Sequence, residues 1–360
     1  MIKIIGRRIL SLINPRYSYL PQMEEYDNLS QDFALYSMFT HTKNFSGFHI
    51  TTDNYGFRYS EFENKLISLE TELFSRKKTN LIIGGSTVFG VGASNDQNTV
   101  SSYLSKKTNE RWINIGLRAG NSFQEYLNLI KILGKLKNIG EIVFLSGLND
   151  IYMNLAFDKS NFLDDLIFNQ TDIENFMNKF RLSQYSRKKI ILASFISVFK
   201  KVKTGDIIHL KTIKDMINFK KVKTSLKKQS EDELFSIFER NFLLYSALEK
   251  TLKNTSVYFF LQPYFYWVDK KSNHKEDEII EYLNNKSETS SSIYKKINSS
   301  LHNKVSKKLN DFSQKYKLNF FDLNNENFGS KEDFIFADRV HLTDLGNKIT
   351  AEMISKYIQL

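Results

Sequence analysis

Five short apolar segments recur along the chain, each rich in Ile, Val, Phe or Leu. They are NLIIG at 80–84, WINI at 112–115, EIVFL at 141–145, VYFFL at 257–261 and NFFDL at 319–323. Apolar residues stand at consecutive positions in these segments instead of alternating with polar ones. Strands of a parallel sheet that is covered on both faces have this pattern, so we predict five buried parallel strands.

Amphipathic stretches with helical spacing lie between these segments. Residues 121–136 place Phe123, Tyr126, Leu127, Ile130 and Leu133 on one face, and residues 292–316 and 345–358 have similar patterns. Strands that alternate with helices predict an α/β fold, a three-layer sandwich in which helices cover both faces of the five-stranded parallel sheet.

The interval between the third and fourth predicted strands is too long for a single crossover helix. We therefore expect residues 76–358 to form one domain, with residues 155–255 as a helical insertion between strands 3 and 4. Residues 1–75 contain the loop-like tract HITTDNYGFRYSEF at 49–62 and are expected to form an N-terminal extension that packs on the core.

The net charge of +11 is concentrated in this predicted insertion. Residues 179–228 hold 15 Lys or Arg and 2 acidic residues, a net charge of +13, whereas the remaining 36 basic and 38 acidic residues give −2. Such a segment would attract an anionic ligand or a membrane surface, and a lysine-rich solvated cover is the alternative. Nucleic acid is disfavoured as a partner because no recognisable binding motif accompanies the charge.

The absence of cysteine from the sequence excludes disulfides, thiolate metal sites and a cysteine nucleophile. The longest apolar run, residues 190–199, is shorter than the roughly 20 residues that span a bilayer. Residues 1–17 have a basic start without a small-residue cleavage site, which indicates a short amphipathic helix. These features favour a cytoplasmic location, with peripheral attachment at the inner face of the membrane as the alternative.

Four tracts that carry candidate chemistry follow the predicted strands or lie near their ends, where ligands bind in open α/β sheets. We call them the serine block (83–90, IGGSTVFG), the glycine block (114–122, NIGLRAGNS), the asparagine block (146–150, SGLND) and the histidine block (336–346, FADRVHLTDLG). Glycines before Ser86 permit a sharp turn that exposes its hydroxyl, and the Asn149 amide can donate to a developing oxyanion. Taken alone, each block also fits an ordinary turn or helix cap.

A serine mechanism needs a histidine, and the chain has six. Only His341 has a carboxylate three residues earlier, Asp338, and is followed by the pattern of a helix start. This spacing lets Asp338 accept a hydrogen bond from one ring nitrogen while the other nitrogen faces a serine.

The ordered set of serine, glycine, asparagine and Asp-x-x-His resembles the SGNH, or GDSL-type, hydrolase family. The resemblance covers about residues 50–150 and 255–358, and the NYGFR tract at 54–58 and FFLQP at 259–263 add to it. It implies a flavodoxin-like sheet and a catalytic triad of Ser86, Asp338 and His341. It also implies an oxyanion hole formed by the Ser86 N–H, the Gly120 N–H and the Asn149 side chain, with Gly116 as the second candidate for the glycine. No metal or organic cofactor is implied.

One residue departs from the family pattern, because Gly85 stands where the family has aspartate. The resemblance favours a serine esterase that removes small acyl groups, first of all acetyl, from a carbohydrate or glycan ester. An O-acyltransferase that modifies a glycan and an inactive glycan-binding member are the alternatives. The sequence leaves the oligomeric state open.

Overall fold

The computed structural model describes residues 14–34, 38–156, 231–252 and 254–358. The chain divides into two compact units, Met1–Asn154 with Ser230–Leu360, and Leu155–Gln229. The second unit lies almost entirely outside the described residues, as does the basic segment 179–228. The predicted strands all belong to the first unit.

The centre of this first unit is a five-stranded parallel sheet. Its strands are β5 (Thr79–Gly84), β6 (Trp112–Gly116), β7 (Ile139–Ser146), β8 (Val257–Leu261) and β9 (Asn319–Asp322), in the order β6-β5-β7-β8-β9. Numbered from β5, this is the order 2-1-3-4-5, which is flavodoxin-like. The predicted five-stranded sheet is confirmed, and each strand lies within two residues of its apolar segment.

Helices cover both faces of the sheet, which confirms the predicted three-layer sandwich. On one face, α5 (Val100–Thr108) and α12 (Asp344–Tyr357) share a core with Ile82, Val143 and Phe260. On the other face, Tyr245 of α8 (Glu231–Thr251) stacks on Phe144 of β7 with 3.8 Å between ring centroids. The remaining long helices are α6 (Ser122–Leu133), α7 (Leu148–Ala156), α9 (His274–Lys286), α10 (Glu288–Lys296) and α11 (Ser299–Tyr316).

The described part of the predicted insertion 155–255 includes α8, which precedes β8 directly. Phe242 of α8 packs edge-on against Phe259 of β8, with 5.5 Å between ring centroids. Helix α8 therefore acts as a crossover helix of the sheet domain.

Residues 14–78 add small elements to the sheet domain. They are α1 (Pro15–Tyr19), α2 (Met23–Asn28), α3 (Leu69–Glu72) and the antiparallel pairs β1 (Gln31–Ala34) with β2 (Met38–His41) and β3 (Ser60–Phe62) with β4 (Lys65–Ile67). Leu20, Met23 and Tyr26 form a buried cluster with Phe89 and Ala337. This cluster holds α1 and α2 against the serine and histidine blocks.

Candidate active site

Ser86 lies directly beyond the carboxyl end of β5. Gly85 makes the turn, and Ser86 begins the four-residue helix α4 (Ser86–Phe89), which ends at Gly90 in the left-handed conformation with φ 84°. The first residues of a helix have no intrahelical acceptor for their N–H groups, so the Ser86 N–H is available to a ligand. The half-buried Ser86 hydroxyl therefore emerges beside a backbone donor.

His341 and Asp338 come from the histidine block and complete a hydrogen-bonded chain with Ser86. His341 Nε2 lies 2.8 Å from Ser86 Oγ, and His341 Nδ1 lies 2.7 Å from Asp338 Oδ2. A carboxylate can only accept, so Nδ1 carries the hydrogen and Nε2 is left to accept from the serine hydroxyl. The structure thus brings together the three residues that the sequence selects, across 255 positions of the chain.

Asp338 is fixed through both of its oxygens. Oδ1 accepts the backbone N–H groups of Val340 and His341, each at 2.9 Å, and Oδ2 faces the imidazole. A backbone hydrogen bond of 2.8 Å from Ala337 to the His341 carbonyl closes the loop. The carboxylate orientation therefore follows from the fold of the loop itself.

Arg16, which belongs to none of the four blocks, also contacts Asp338. Its Nη2 lies 3.2 Å from Asp338 Oδ2, the oxygen that receives the imidazole hydrogen. Burial alone would raise the pKa of Asp338, but His341 and the Arg16 guanidinium hold it well below its usual range. No local sequence signal marks Arg16, because this contact arises from the packing of α1 on the histidine block.

The asparagine and glycine blocks meet beside Gly85. Asn149 Nδ2 donates to the Gly120 carbonyl at 2.7 Å, and the same nitrogen would lie 2.6 Å from a Cβ built on Gly85. An amide nitrogen has two hydrogens, so one remains for a ligand beside Ser86. The Gly120 N–H donates to the Leu117 carbonyl at 3.1 Å within its own turn.

Gly116, the second candidate for the oxyanion glycine, has a packing role. A Cβ on Gly116 would lie 2.2 Å from the backbone nitrogen of Phe89, so its absence lets α4 lie against the end of β6. The Gly116 N–H donates to Asn114 Oδ1 at 2.9 Å. Of the two glycines, Gly120 is the one in contact with Asn149.

The NYGFR tract supports helix α4, which begins at Ser86. Arg58 is fully buried and donates from Nη1 to the carbonyls of Phe89 and Gly90 at 3.0 and 2.9 Å. Its Nε donates to Asp96 Oδ1 at 2.7 Å, and Nη2 donates to the His49 carbonyl at 2.7 Å. The carbonyls at the end of α4 are thereby held by one rigid guanidinium.

Two buried carboxyl groups lie behind the asparagine block. Asp150 Oδ1 accepts from the Ser122 hydroxyl at 2.7 Å, and Glu125 Oε1 accepts from the Ser146 hydroxyl at 2.9 Å. Burial raises the pKa of Asp150 to about 6 despite the Ser122 hydrogen bonds. Burial and then the Asp150 charge raise the pKa of Glu125 well above its usual range. These groups connect the glycine and asparagine blocks through α6.

The other described histidines have structural contacts. His41 Nδ1 lies 3.1 Å from the Gly56 carbonyl, and His41 Nε2 accepts the Arg118 N–H at 3.2 Å. His302 Nε2 lies 2.7 Å from Asp322 Oδ2, and its ring stacks on Trp267. Within the described ranges, His341 is the histidine with a ring nitrogen in hydrogen-bond contact with a serine hydroxyl.

Metal-binding clusters and membrane-spanning helices are both absent from the described residues. These residues contain no group of three or more His, Asp or Glu side chains arranged to hold a metal ion. No helix in the described part of the chain combines the length and apolar character needed to cross a bilayer.

No protein-family model and no curated protein matches the chain. Among solved structures, it is similar to a protein from Desulfitobacterium hafniense DCB-2 described as a lipolytic member of the G-D-S-L family. That pair has 12% identity and a TM-score of 0.33, covering 79% of this chain and 100% of the other.

The chain is also similar to LAE5, an α/β hydrolase enzyme from the metagenome of Lake Arreo, Spain, with 10% identity, a TM-score of 0.38 and coverage of 79% and 97%. Axe2, an acetylxylan esterase from Geobacillus stearothermophilus, gives 12% identity, a TM-score of 0.37 and coverage of 80% and 97%. The sheet order and the gathering of the four blocks at its carboxyl edge agree with an SGNH-like, or GDSL-like, hydrolase fold.

Proposed function

We propose that the chain is an SGNH-type serine esterase that removes small acyl groups, in which Ser86 is the nucleophile. The observation that carries this proposal is the hydrogen-bonded chain from Ser86 Oγ through His341 to Asp338. A serine hydroxyl is a weak nucleophile unless a positioned base takes its proton, and this arrangement supplies that base together with a carboxylate that orients it.

The reaction follows from these contacts. Ser86 Oγ attacks the ester carbonyl carbon as His341 Nε2 takes the hydroxyl proton, and a tetrahedral oxyanion forms. Collapse of that intermediate breaks the bond to the alcohol, which leaves with the proton from His341. Water then attacks the acyl carbon as His341 Nε2 takes its proton. The bond from Ser86 Oγ to that carbon breaks, the carboxylic acid leaves, and His341 returns the proton to Ser86 Oγ.

The Ser86 N–H and the free Asn149 amide hydrogen are the donors best placed to stabilise the oxyanion. They belong to elements held by β5 and β7, two neighbouring strands of the sheet. The Gly120 carbonyl orients the Asn149 amide, and the Gly120 N–H can join the pair if its bond to Leu117 opens or is shared. A lost oxyanion donor costs about 10²–10³-fold in turnover.

The first test measures ester hydrolysis by the purified protein with aryl acetates, aryl butyrates and acetylated sugars. A sugar-linked acetyl ester is the first physiological candidate, because the sequence resemblance implies acylated glycans. Ser86→Ala and His341→Gln should both abolish hydrolysis. His302→Gln is the matched control, because His302 also pairs with a carboxylate but contacts Trp267 instead of the nucleophile.

Equal, slow rates for the wild type, Ser86→Ala and His341→Gln on every ester would overturn the proposal. Mass spectrometry in the presence of an added sugar acceptor separates two outcomes of acyl-enzyme turnover. Free acetate indicates hydrolysis, whereas an acetylated acceptor indicates transfer.

A further inference from the structure

Arg16 extends the polar chain of the active site towards the surface. Its Nη2 lies 3.2 Å from Asp338 Oδ2, and its Nη1 donates to Asp27 Oδ1 and Oδ2 at 3.1 and 2.9 Å. Ser86, His341, Asp338, Arg16 and Asp27 therefore form one continuous series of contacts. The guanidinium divides its charge between two carboxylates, one of which belongs to the proposed triad.

The position of Arg16 is determined by several contacts around it. Helix α1 begins beside Asn14, whose side chain accepts the Arg16 N–H at 3.1 Å. The Tyr17 hydroxyl donates to Asp27 Oδ2 at 2.7 Å, and Gln22 Nε2 donates to the Gly92 carbonyl at 2.8 Å. The Arg16 side chain is only 11% exposed. A buried, doubly paired guanidinium in this setting exerts a stronger field than a surface arginine would.

We propose that Arg16 is a positioning residue that sets how strongly Asp338 stabilises positive charge on His341. The carboxylate of Asp338 stabilises the imidazolium that forms during catalysis, and a guanidinium on the same oxygen opposes part of that stabilisation. Arg16 therefore limits the negative charge that Asp338 presents to the imidazole. It also fixes Oδ2 while the backbone N–H groups fix Oδ1. This inference rests on the proposed function of Ser86.

The groups that face this site come from three parts of the chain. The N-terminal segment contributes a cation, a carboxylate and a phenol, and the histidine block contributes the imidazole and a second cation. Helix α10 contributes a half-buried tyrosine whose pKa is raised by desolvation and by nearby groups that include Asp338. These groups are Arg16, Asp27, Tyr17, His341, Arg339 and Tyr294.

The experiment uses the rate of Ser86 phosphonylation by a fluorophosphonate, measured from pH 5 to 9. In this reaction the Ser86 Oγ–phosphorus bond forms, the phosphorus–fluorine bond breaks, fluoride leaves and His341 takes the hydroxyl proton. The reaction needs the serine and its base but no particular ester substrate. The variants are Arg16→Met, Arg16→Lys and Asp27→Asn. Tyr19→Phe is the control, because the Tyr19 hydroxyl anchors α1 through Glu278 at 2.6 Å without contacting Asp338.

We expect Arg16→Met to move the acid limb of the rate profile up by about 0.5–1 pH unit. Asp27→Asn should move it in the opposite direction, because the whole Arg16 charge then acts on Asp338. Arg16→Lys should give an intermediate shift, since an ammonium group keeps the charge but not the two-armed geometry. Tyr19→Phe should leave the acid limb of the rate profile at its wild-type pH.

Two outcomes would overturn the inference. In the first, the wild type is labelled at Ser86 but neither Arg16→Met nor Asp27→Asn moves the acid limb. In the second, the rates fall only in proportion to a loss of folded protein seen by circular dichroism, which indicates a purely structural role. Absence of labelling at Ser86 in the wild type is a different result, because it contradicts the proposed function. If Arg16→Met does not fold, Asp27→Asn and Arg16→Lys still decide the sign of the effect.

Discussion

The side-chain nitrogen of Asn149 occupies the space that a side chain on Gly85 would need. A Cβ on Gly85 would lie 2.6 Å from Asn149 Nδ2, closer than real Cβ contacts come. In this chain the position of the Asn149 amide therefore depends on the missing side chain at residue 85. Gly85 therefore leaves room for the Asn149 amide in the position where the proposed oxyanion site needs it.

The first prediction is that a side chain at position 85 impairs the oxyanion site. Gly85→Ala and Gly85→Asp should push the Asn149 amide away from the Gly120 carbonyl, so kcat should fall about 10²-fold or more while KM changes little. Gly134→Ala is the matched control, because a Cβ there meets nothing within 4 Å. Steady-state kinetics on an aryl acetate give the two constants.

A double-mutant cycle tests the reason for this loss. Asn149→Ala alone should cost about 10²–10³-fold in kcat. If Gly85→Ala acts by displacing Asn149, adding it to Asn149→Ala should cost little more. Additive losses would contradict this explanation, as would wild-type kcat for Gly85→Asp.

The second prediction concerns the orientation of the imidazole. Asp338→Asn places an amide opposite His341 Nδ1 and favours the wrong tautomer, so kcat should fall about 10⁴-fold with little effect on folding. Asp322→Asn, which alters the His302 pair instead, should leave kcat near the wild-type value. If both variants lose activity in proportion to a fall in Tm, the loss reflects unfolding and the proposed role of Asp338 in orienting the imidazole is contradicted.

The third prediction is a pH dependence of stability that comes from Asp150. Burial raises its pKa to about 6, above the unfolded value of about 3.9. The folded state thus keeps this proton while the unfolded chain releases it, and the free energy of unfolding falls as pH rises from about 4 to about 6. Asparagine cannot ionise, so Asp150→Asn should gain up to about 3 kcal/mol relative to the wild type across this window.

Urea denaturation at pH 4, 5, 6 and 7 measures the difference between Asp150→Asn and the wild type. Glu125→Gln serves as a companion variant, because burial raises the pKa of Glu125 well above its usual range. Its relative gain should likewise grow as pH rises above the unfolded glutamate pKa of about 4.3. A stability difference that does not vary with pH would contradict both assignments.

The fourth prediction concerns Arg58, which holds the end of helix α4. The Arg58 guanidinium donates to one carboxylate and three carbonyls, those of Asp96, Phe89, Gly90 and His49. In Arg58→Lys the ammonium group has three donors at one point, so it cannot reach all four acceptors together. We expect a loss of about 3 kcal/mol or more in the free energy of unfolding. Arg76→Lys, at an exposed position, should change it by no more than about 0.5 kcal/mol.

The sheet and the Asp338–His341 pair were accessible from sequence because their signals are local. Strands such as VYFFL at 257–261 are apolar at every position, and only burial on both faces produces that pattern. Asp338 and His341 are three residues apart, so one loop explains their contact. Each of these features depends on a few consecutive residues, so it can be predicted from the sequence.

Features that depend on tertiary packing could not be read in this way. The sequence does not distinguish Gly116 from Gly120 as the oxyanion glycine. Only the packing of Phe89 against the end of β6 shows that Gly116 has a packing role. Arg16 stands in a stretch without a motif, and its contact with Asp338 exists because α1 docks on the histidine block. The Gly120 N–H, expected to face the oxyanion, is bonded to the Leu117 carbonyl, a detail of one turn that composition does not encode.

The distance along the chain between Ser86 and His341 has a consequence for biosynthesis. The two residues are 255 positions apart, and protein synthesis delivers the serine long before its base. The hydrogen bond between Ser86 Oγ and His341 Nε2 cannot form until residue 341 has left the ribosome and its loop has docked. In the proposed mechanism, fragments truncated before the histidine block therefore lack the base that Ser86 needs.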